Sequence, residues 1–513
     1  MMAPAVALRL VLGAIAIAHG SCAVAPRATR QGGVIRASAH RAAVRAGDAP
    51  STMPAAATAT ADADGSAELV GFERFVRTNP RSDRFGVRGL DHLEFYCPDA
   101  TTASSRFMFG LDMAPIARFE SDAHAHSVVL QSGAVRFVFT APSAHEPDER
   151  TAARARAPPG FARADALRFV GAHGTAVRAI GLEVDNCARA YAACVAHGGR
   201  PARAPARMAR TGNGMGEVEY AEVELYGDVV LRLLSSAERA AERDMPHDDD
   251  GMCDEAHALR LLPGYCATAA APERAVGSIA PLLRVDHVVG NVPALRDVWP
   301  YIARMTGFHP FAEFVAEDVG TVDSGLNSIV LASNCETVLL PLNEPTYGTR
   351  RKSQIQTYLE QHGGPGVQHI ALLTPDIFAT VRAMRARAAR GGFDFMARPP
   401  ADYYGGLGAR LERLATEAAS GAGGVAANGG LSAAQLAEAE ELGVLVDRDE
   451  QGVLLQIFTA PVSDRKTLFL EVIQRVGCEA EDDGRVRGGC GGFGKGNFAV
   501  LFKTVEDFLG DEA

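Results

Sequence analysis

No Cys-x-x-Cys pair occurs in this chain, although nine cysteines are scattered from Cys22 to Cys490. Without that spacing there is no paired-thiol signature, and an odd, dispersed set predicts free thiols in a reducing compartment. Cys187 and Cys194 fall in one helix-like stretch, where their spacing marks a packed face and not a disulfide. Excess positive charge is missing too. The formal net charge is -11, which leaves no basic surface for nucleic acid or an anionic membrane. What remains is ordinary soluble globular material, 47% hydrophobic and 22% charged, and its 513 residues can bury large cores. Length alone suggests roughly three domains.

From Met1 to Gly47 there is no aspartate, glutamate or lysine, and arginines such as Arg27, Arg30 and Arg36 carry the charge. The apolar run Ala5–Ala18, broken by Arg9, falls short of the roughly 20 residues that span a bilayer. It suits a signal-peptide core, with small residues for cleavage at 19–23 and an Arg-rich, acid-poor stretch behind it. Such a two-part leader resembles those that address proteins to plastids bounded by extra membranes. Simple secretion, or an Ala-rich tail with no address, are the alternatives, as are cytoplasmic or mitochondrial locations. Residues 1–67 are therefore expected to be a targeting leader and disordered linker, with no stable membrane insertion once the leader is removed.

The remainder carries a repeat. Leu90-Asp91-His92-Leu93 and Val285-Asp286-His287-Val288 share one opening; Val177-Arg178-Ala179-Ile180 and Val367-Gln368-His369-Ile370 share another. Short windows of this kind predict strands. Helix-like stretches follow at 103–109, 187–196, 295–305 and 377–389, each running into glycine (Gly110 and Gly307 among them), where a left-handed helix end is expected. Further strands come next, such as 218–225 with 229–234 and 453–459 with 467–473. The unit is a strand, a helix and about three strands, repeated four times. A single unit cannot cover its own sheet, so units must pair. The fold class expected is α+β: four βαβββ modules paired into two domains, 68–237 and 281–513, with an acidic linker over 238–280. The acidic cluster around Asp248 lacks the ligand spacing of a calcium loop and reads as solvated. Residues 405–430, rich in Gly and Ala, read as a surface insertion.

Comparing the repeats picks out chemistry. Glu471 sits in the apolar strand Phe469-Leu470-Glu471-Val472-Ile473, where a carboxylate needs a partner or a metal. Its counterpart in the first half is Arg232, and Ala179 stands where His369 is. The second half thus has His287, His369 and Glu471 at equivalent strand positions, while the first retains only His92. Two histidines and a carboxylate around one cavity form the face suited to Fe(II) and oxygen chemistry. Three ligands leave three octahedral positions open, and the net charge near +1 welcomes an anionic chelating substrate. Each residue alone also fits a satisfied core position; the coincidence of all three gives the reading its weight.

Longer motifs add a resemblance. Arg284-Val285-Asp286-His287-Val288-Val289-Gly290-Asn291-Val292, Leu340-Pro341-Leu342-Asn343-Glu344-Pro345, Lys352-Ser353-Gln354-Ile355-Gln356, Phe469-Leu470-Glu471-Val472-Ile473-Gln474-Arg475 and Gly491-Gly492-Phe493-Gly494-Lys495-Gly496-Asn497-Phe498 resemble the 4-hydroxyphenylpyruvate dioxygenases. The resemblance runs from about residue 71 to the C-terminus and strengthens after residue 283. It implies the vicinal oxygen chelate fold, one Fe(II) per chain on His287, His369 and Glu471, and 4-hydroxyphenylpyruvate and O2 as substrates. Ser324, Asn343, Gln354, Gln368 and Gln456 match the polar residues around the substrate. Phe458, Phe469, Phe493 and Phe498 match its aromatic lining, with Asn497 beside them. The product implied is homogentisate with CO2, for tyrosine catabolism or for plastoquinone and tocopherol supply, and a homodimer is the expected assembly. The alternatives are 4-hydroxymandelate formation from the same substrate, or an inactive binding protein on the same fold. Gly491–Gly496 is too glycine-rich for a helix interior, whereas residues 497–508 place Phe498, Leu501, Val505 and Phe508 on one helical face. A lid helix on a glycine hinge is expected there.

Overall fold

The computed structural model describes residues 69–71, 74–155, 157–209, 217–236, 262–268, 279–319, 325–419, 431–449, 451–478, 488–497 and 500. The expected leader, the acidic cluster around Asp248, Ser324, Phe498 and all but residues 497 and 500 of the expected lid helix lie outside them.

Four units follow one another. The first is β1 (Val87–Tyr96), a helix Ala100–Leu111, then β2 (Ala114–Glu120), β3 (Ala125–Ser132) and β4 (Val135–Pro142). The second is β5 (Ala176–Val184), a helix Cys187–Ala196, β6 (Pro201–Ala209), β7 (Glu217–Tyr226) and β8 (Val229–Ser236). A short β9 (Cys266–Ala267) precedes the third: β10 (Arg284–Asn291), a helix Leu295–Thr306, β11 (His309–Phe314), β12 (Leu326–Ala332) and β13 (Leu339–Pro345). The fourth has β14 (Gly366–Leu373), a helix Ile377–Ala388, β15 (Leu445–Arg448), β16 (Val453–Phe458) and β17 (Phe469–Val476).

Local chemistry starts these helices. Asp99, Asn186 and Asp376 each accept the backbone N–H three residues on, which satisfies one of the orphan donors of the first turn. The helix Leu295–Thr306 has Ala294 at that place, and Glu344 from β13 accepts from the Leu295 N–H instead, at 2.6 Å. Gly307 ends that helix with φ +81°, as expected. Gly110 does not serve this way: the left-handed residue is Asp112. A Cβ at Gly110 would lie 2.6 Å from the Phe393 ring, so that glycine is needed for close packing between units.

The units pair into two sheets, ordered β6-β7-β8-β5-β1-β4-β3-β2-β9 and β11-β12-β13-β10-β14-β17-β16-β15. In each, the two opening strands run antiparallel at the centre and each has a parallel partner, so the halves are related by a pseudo-two-fold. One apolar core joins the sheets, with Leu93, Phe95, Phe137, Ile180, Ile370 and Leu470 fully buried. Each such side chain contributes about 1.5–3 kcal/mol. No described helix is long and apolar enough to cross a membrane.

Three further expectations need correction. Cys478 and Cys490 form a disulfide, so the cysteines are not all free thiols; the chain beyond β17 returns to bring them together. Cys187 and Cys194 do remain free and buried on one helix face. Residues 262–268, inside the expected linker, are not wholly solvated: β9 extends the first sheet with Cys266 and Ala267 exposed, while Leu262 and Tyr265 are buried against it. Within the Gly/Ala stretch, a helix spans Leu407–Ala419 and buries Leu407 and Leu411 in the core.

Candidate functional site

Strand register assembles the candidate site. His287 on β10 lies opposite Ala371 on β14, and Ala371 lies beside Glu471 on β17. His369 is two residues back along β14, on the same face of the pleat. The His287 and His369 Nε2 atoms stand 3.1 and 3.4 Å from one oxygen of Glu471. Ligand atoms of all three residues fall within 4.8 Å of one another, and all three side chains are buried.

The far ring nitrogens are committed elsewhere. Asp286 accepts from His287 Nδ1 at 2.9 Å, and Gln368 Oε1 accepts from His369 Nδ1 at 3.0 Å. Both Nε2 atoms are thereby turned inward, the arrangement that supports metal-ligating imidazoles. Asp286 is held in turn by Arg475, at 3.0 and 2.7 Å, and has Arg284 within 3.2 Å. Burial alone would raise its pKa, but the two guanidinium groups hold it well below the usual carboxylate range. Burial likewise opposes charge on Glu471 and His287. Their mutual attraction outweighs it, lowering Glu471 to about 2 and, with Asp286, lifting His287 to about 9. His369 is different, because burial dominates and pushes it down. One carboxylate, one proton-holding imidazole and one neutral imidazole converge on a point, and a divalent cation there would take the place of the proton.

The equivalent row of the first sheet runs His92, Gly181, Arg232, with Ala179 where His369 stands. Here the guanidinium of Arg232 supplies the cation: it reaches Glu94 at 2.6 Å, Glu222 at 2.8 Å and His92 Nε2 at 3.2 Å. The first sheet fills with an internal ion network what the second leaves for a ligand.

Comparisons with known proteins bear on this geometry. No family model matches the chain. It is 49% identical over 451 residues to the 4-hydroxyphenylpyruvate dioxygenase of Daucus carota, which spans 86% of this chain and 91% of the relative. To that of Hordeum vulgare it is 50% identical over 442 residues, 85% and 91% of the two chains. A solved variant of 4-hydroxymandelate synthase from Streptomyces coelicolor superposes with a TM-score of 0.59 at 25% identity, over 83% of this chain and 99% of its own.

The chain belongs to the 4-hydroxyphenylpyruvate dioxygenase family.

Against the positions that the family resemblance singles out, the structure draws some residues together and leaves others apart. Phe469 stacks on the His369 ring at 4.9 Å and Phe458 meets it edge-on at 6.0 Å. Phe493 packs 5.3 Å from the His287 ring, so residue 493 of the tail lies directly against the histidine–glutamate cluster. Gln456 sits on β16 beneath Gly494, where a Cβ would approach its side chain to 2.5 Å. Asn497 is fully buried, and its Oδ1 accepts from Tyr403 at 2.7 Å and from Arg410 at 3.3 Å. Asn343 on β13 bonds Asn291 on β10, and Gln354 opens the helix Gln354–His362. Gln354 Oε1, Gln456 Oε1 and Asn497 Nδ2 are buried without a partner among the described residues. Orphans of that kind are costly, and a polar ligand that reached them would satisfy them.

A cavity of about 830 Å³ lined by Trp299 and Tyr347 lies away from this cluster, so donor chemistry and not volume locates the site. Asp286, Arg475, Tyr403 and Arg410 are functional neighbours that carry no role in the sequence pattern itself. The shared Asp-His opening of β1 and β10 was the one available signal, since an acid before each inward histidine is the pattern of a supported ligand.

Proposed function

We propose that this chain is an Fe(II)-dependent dioxygenase converting 4-hydroxyphenylpyruvate and O2 to homogentisate and CO2. The observation that carries the reading is the convergence of His287, His369 and Glu471, each histidine backed by its own acceptor. Two imidazoles and one carboxylate are a donor set that fits a divalent first-row metal and leaves coordination positions for a chelating 2-oxo acid and O2. Bound there, Fe(II) would supply oxygen activation and the oxidising power for decarboxylation and ring hydroxylation.

The protein's own part is positional. Asp286 and Gln368 keep the imidazoles aimed inward, and Phe469 fixes the plane of His369. Phe458 and Phe493 provide apolar walls for an aryl ring, while Gln354, Gln456, Asn343 and Asn497 offer amides to its polar ends. With Phe493 on His287, the tail excludes water from the centre. The acid-poor leader supports a plastid location, where homogentisate would serve plastoquinone and tocopherol synthesis, and we place the assembly as a homodimer.

The test is anaerobic reconstitution of the leaderless chain with Fe(II), then addition of 4-hydroxyphenylpyruvate and O2 with product identification. Homogentisate, lost in His369→Ala, is the expected result. Hydroxymandelate would keep the metal site and overturn the ring-hydroxylation reading; no oxygen uptake would favour a binding protein.

A further inference from the structure

The Arg475 side chain is 1% exposed and divides its N–H groups between two partners that have no other reason to meet. Nε and Nη2 grip both oxygens of Asp286, which holds His287 Nδ1. Nη1 donates to the carbonyls of Cys490 and Gly492, the latter at 2.9 Å. These two carbonyls differ in freedom. Cys490 is pinned to Cys478 by the disulfide, whereas Gly491, Gly492 and Gly494 follow it in left-handed conformations that suit a hinge. The Gly492 carbonyl therefore lies beyond the pinned residue, among the glycines and one residue before Phe493.

We propose that Arg475 is a positioning residue that couples metal occupancy to closure of the tail. A guanidinium is a planar fork, so its Asp286 and Gly492 bonds constrain one another. A cation shared by His287, His369 and Glu471 locks the His287 ring in place, and with it the Nδ1–H···Asp286 bond, Asp286 and the fork. The fixed fork then presents Nη1 to Gly492 and seats Phe493 on the His287 ring. Linkage makes the effect reciprocal: a seated tail holds the metal more tightly. The inference rests on the metal-site reading above but needs neither the substrate nor the reaction.

The experiment is hydrogen exchange of the 490–497 amides in the full chain, with and without Mn(II) under air-stable conditions, with bound metal measured in the same samples. In the wild-type chain metal is expected to slow exchange there by about ten-fold, within the range usual for site-to-site coupling. Arg475→Lys keeps the charge and loses the fork. It is expected to bind metal yet show no metal-dependent protection, an outcome that a merely structural loss of stability would not produce. If that variant fails to fold, Asp286→Asn cuts the same link from the other end and is expected to abolish the protection. Equal protection in wild-type and variant, or metal uptake with no protection in wild-type, overturns the coupling alone. A wild-type chain that takes up no metal overturns the metal site and the coupling with it.

Discussion

At the scale of single residues, the site is defined by where one proton sits. His287 is raised from 6.5 to about 9, so it stays protonated below that pH, while His369 is pushed below its ordinary value and is neutral near pH 7. Glu471, lowered to about 2, is ionised throughout. Metal ligands must be deprotonated, so uptake at pH 7.5 is expected to release about one proton per site, not two, declining to none as the pH passes His287's value. Calorimetry in buffers of different ionisation enthalpy measures this directly; release of two protons would mean that both imidazoles are charged before binding. The same shifts set the pH dependence of the metal-free fold. The raised histidine stabilises it fully below about pH 6.5 and ceases to as pH climbs through 9. The lowered carboxylate stabilises it above about 4.5 and loses that contribution toward 2. Stability of the metal-free chain should therefore be greatest between about pH 4.5 and 6.5 as far as this pair decides it.

At the scale of elements, the last strand and the tail behind it do most of the connecting. β17 carries Glu471 and Arg475 on the way to Cys478, and the chain returns at Cys490 to lay Phe493 against the His287 ring. A chain ending at Cys490 keeps the three ligands and their acceptors but leaves the centre open to water. It is expected to retain one metal per chain at saturation and to yield no product; undiminished turnover would remove the tail from the chemistry. The disulfide closes a loop spanning 12 residues, and breaking it frees the unfolded chain more than the folded one. Cys490→Ser should cost about 2–3 kcal/mol in chemical denaturation, and reductant should lower the wild type by a similar amount. A variant unchanged under both conditions would mean that the two sulfurs are not joined in solution. Neither device could be read from the sequence. A disulfide depends on where the chain returns, and Asp286 meets Arg475 across 189 residues. The helices and inner strands were legible, because their periodicity and Asx caps are local. The outer strands β2, β6, β11 and β15, of which all but β2 are sheet edges, were not delimited, since a run such as Pro201-Ala202-Arg203-Ala204-Pro205 becomes a strand only through its neighbour.

At the scale of the whole molecule, one architecture is used twice with opposite electrostatics. The comparison of halves exposed His287, His369 and Glu471 because Ala179 and Arg232 interrupt the same pattern, and the register places these residues at matching rows. What the comparison could not supply was the company Arg232 keeps. It is buried at 3% exposure between Glu94 and Glu222, which lie on different strands and reveal nothing as neighbours in sequence. If this guanidinium holds the first sheet together as a cation would, then Arg232→Met leaves Glu94 without its cation and Glu222 with only the half-exposed Arg203 at 3.6 Å. The expected loss is about 3–5 kcal/mol by urea denaturation, with metal still bound at one per chain by the second sheet. A small loss of stability would show that the carboxylates find protons or water instead. A fall in metal content in a chain that remains folded would show that the two sheets are energetically joined, through the core that runs between them and not through any shared ligand.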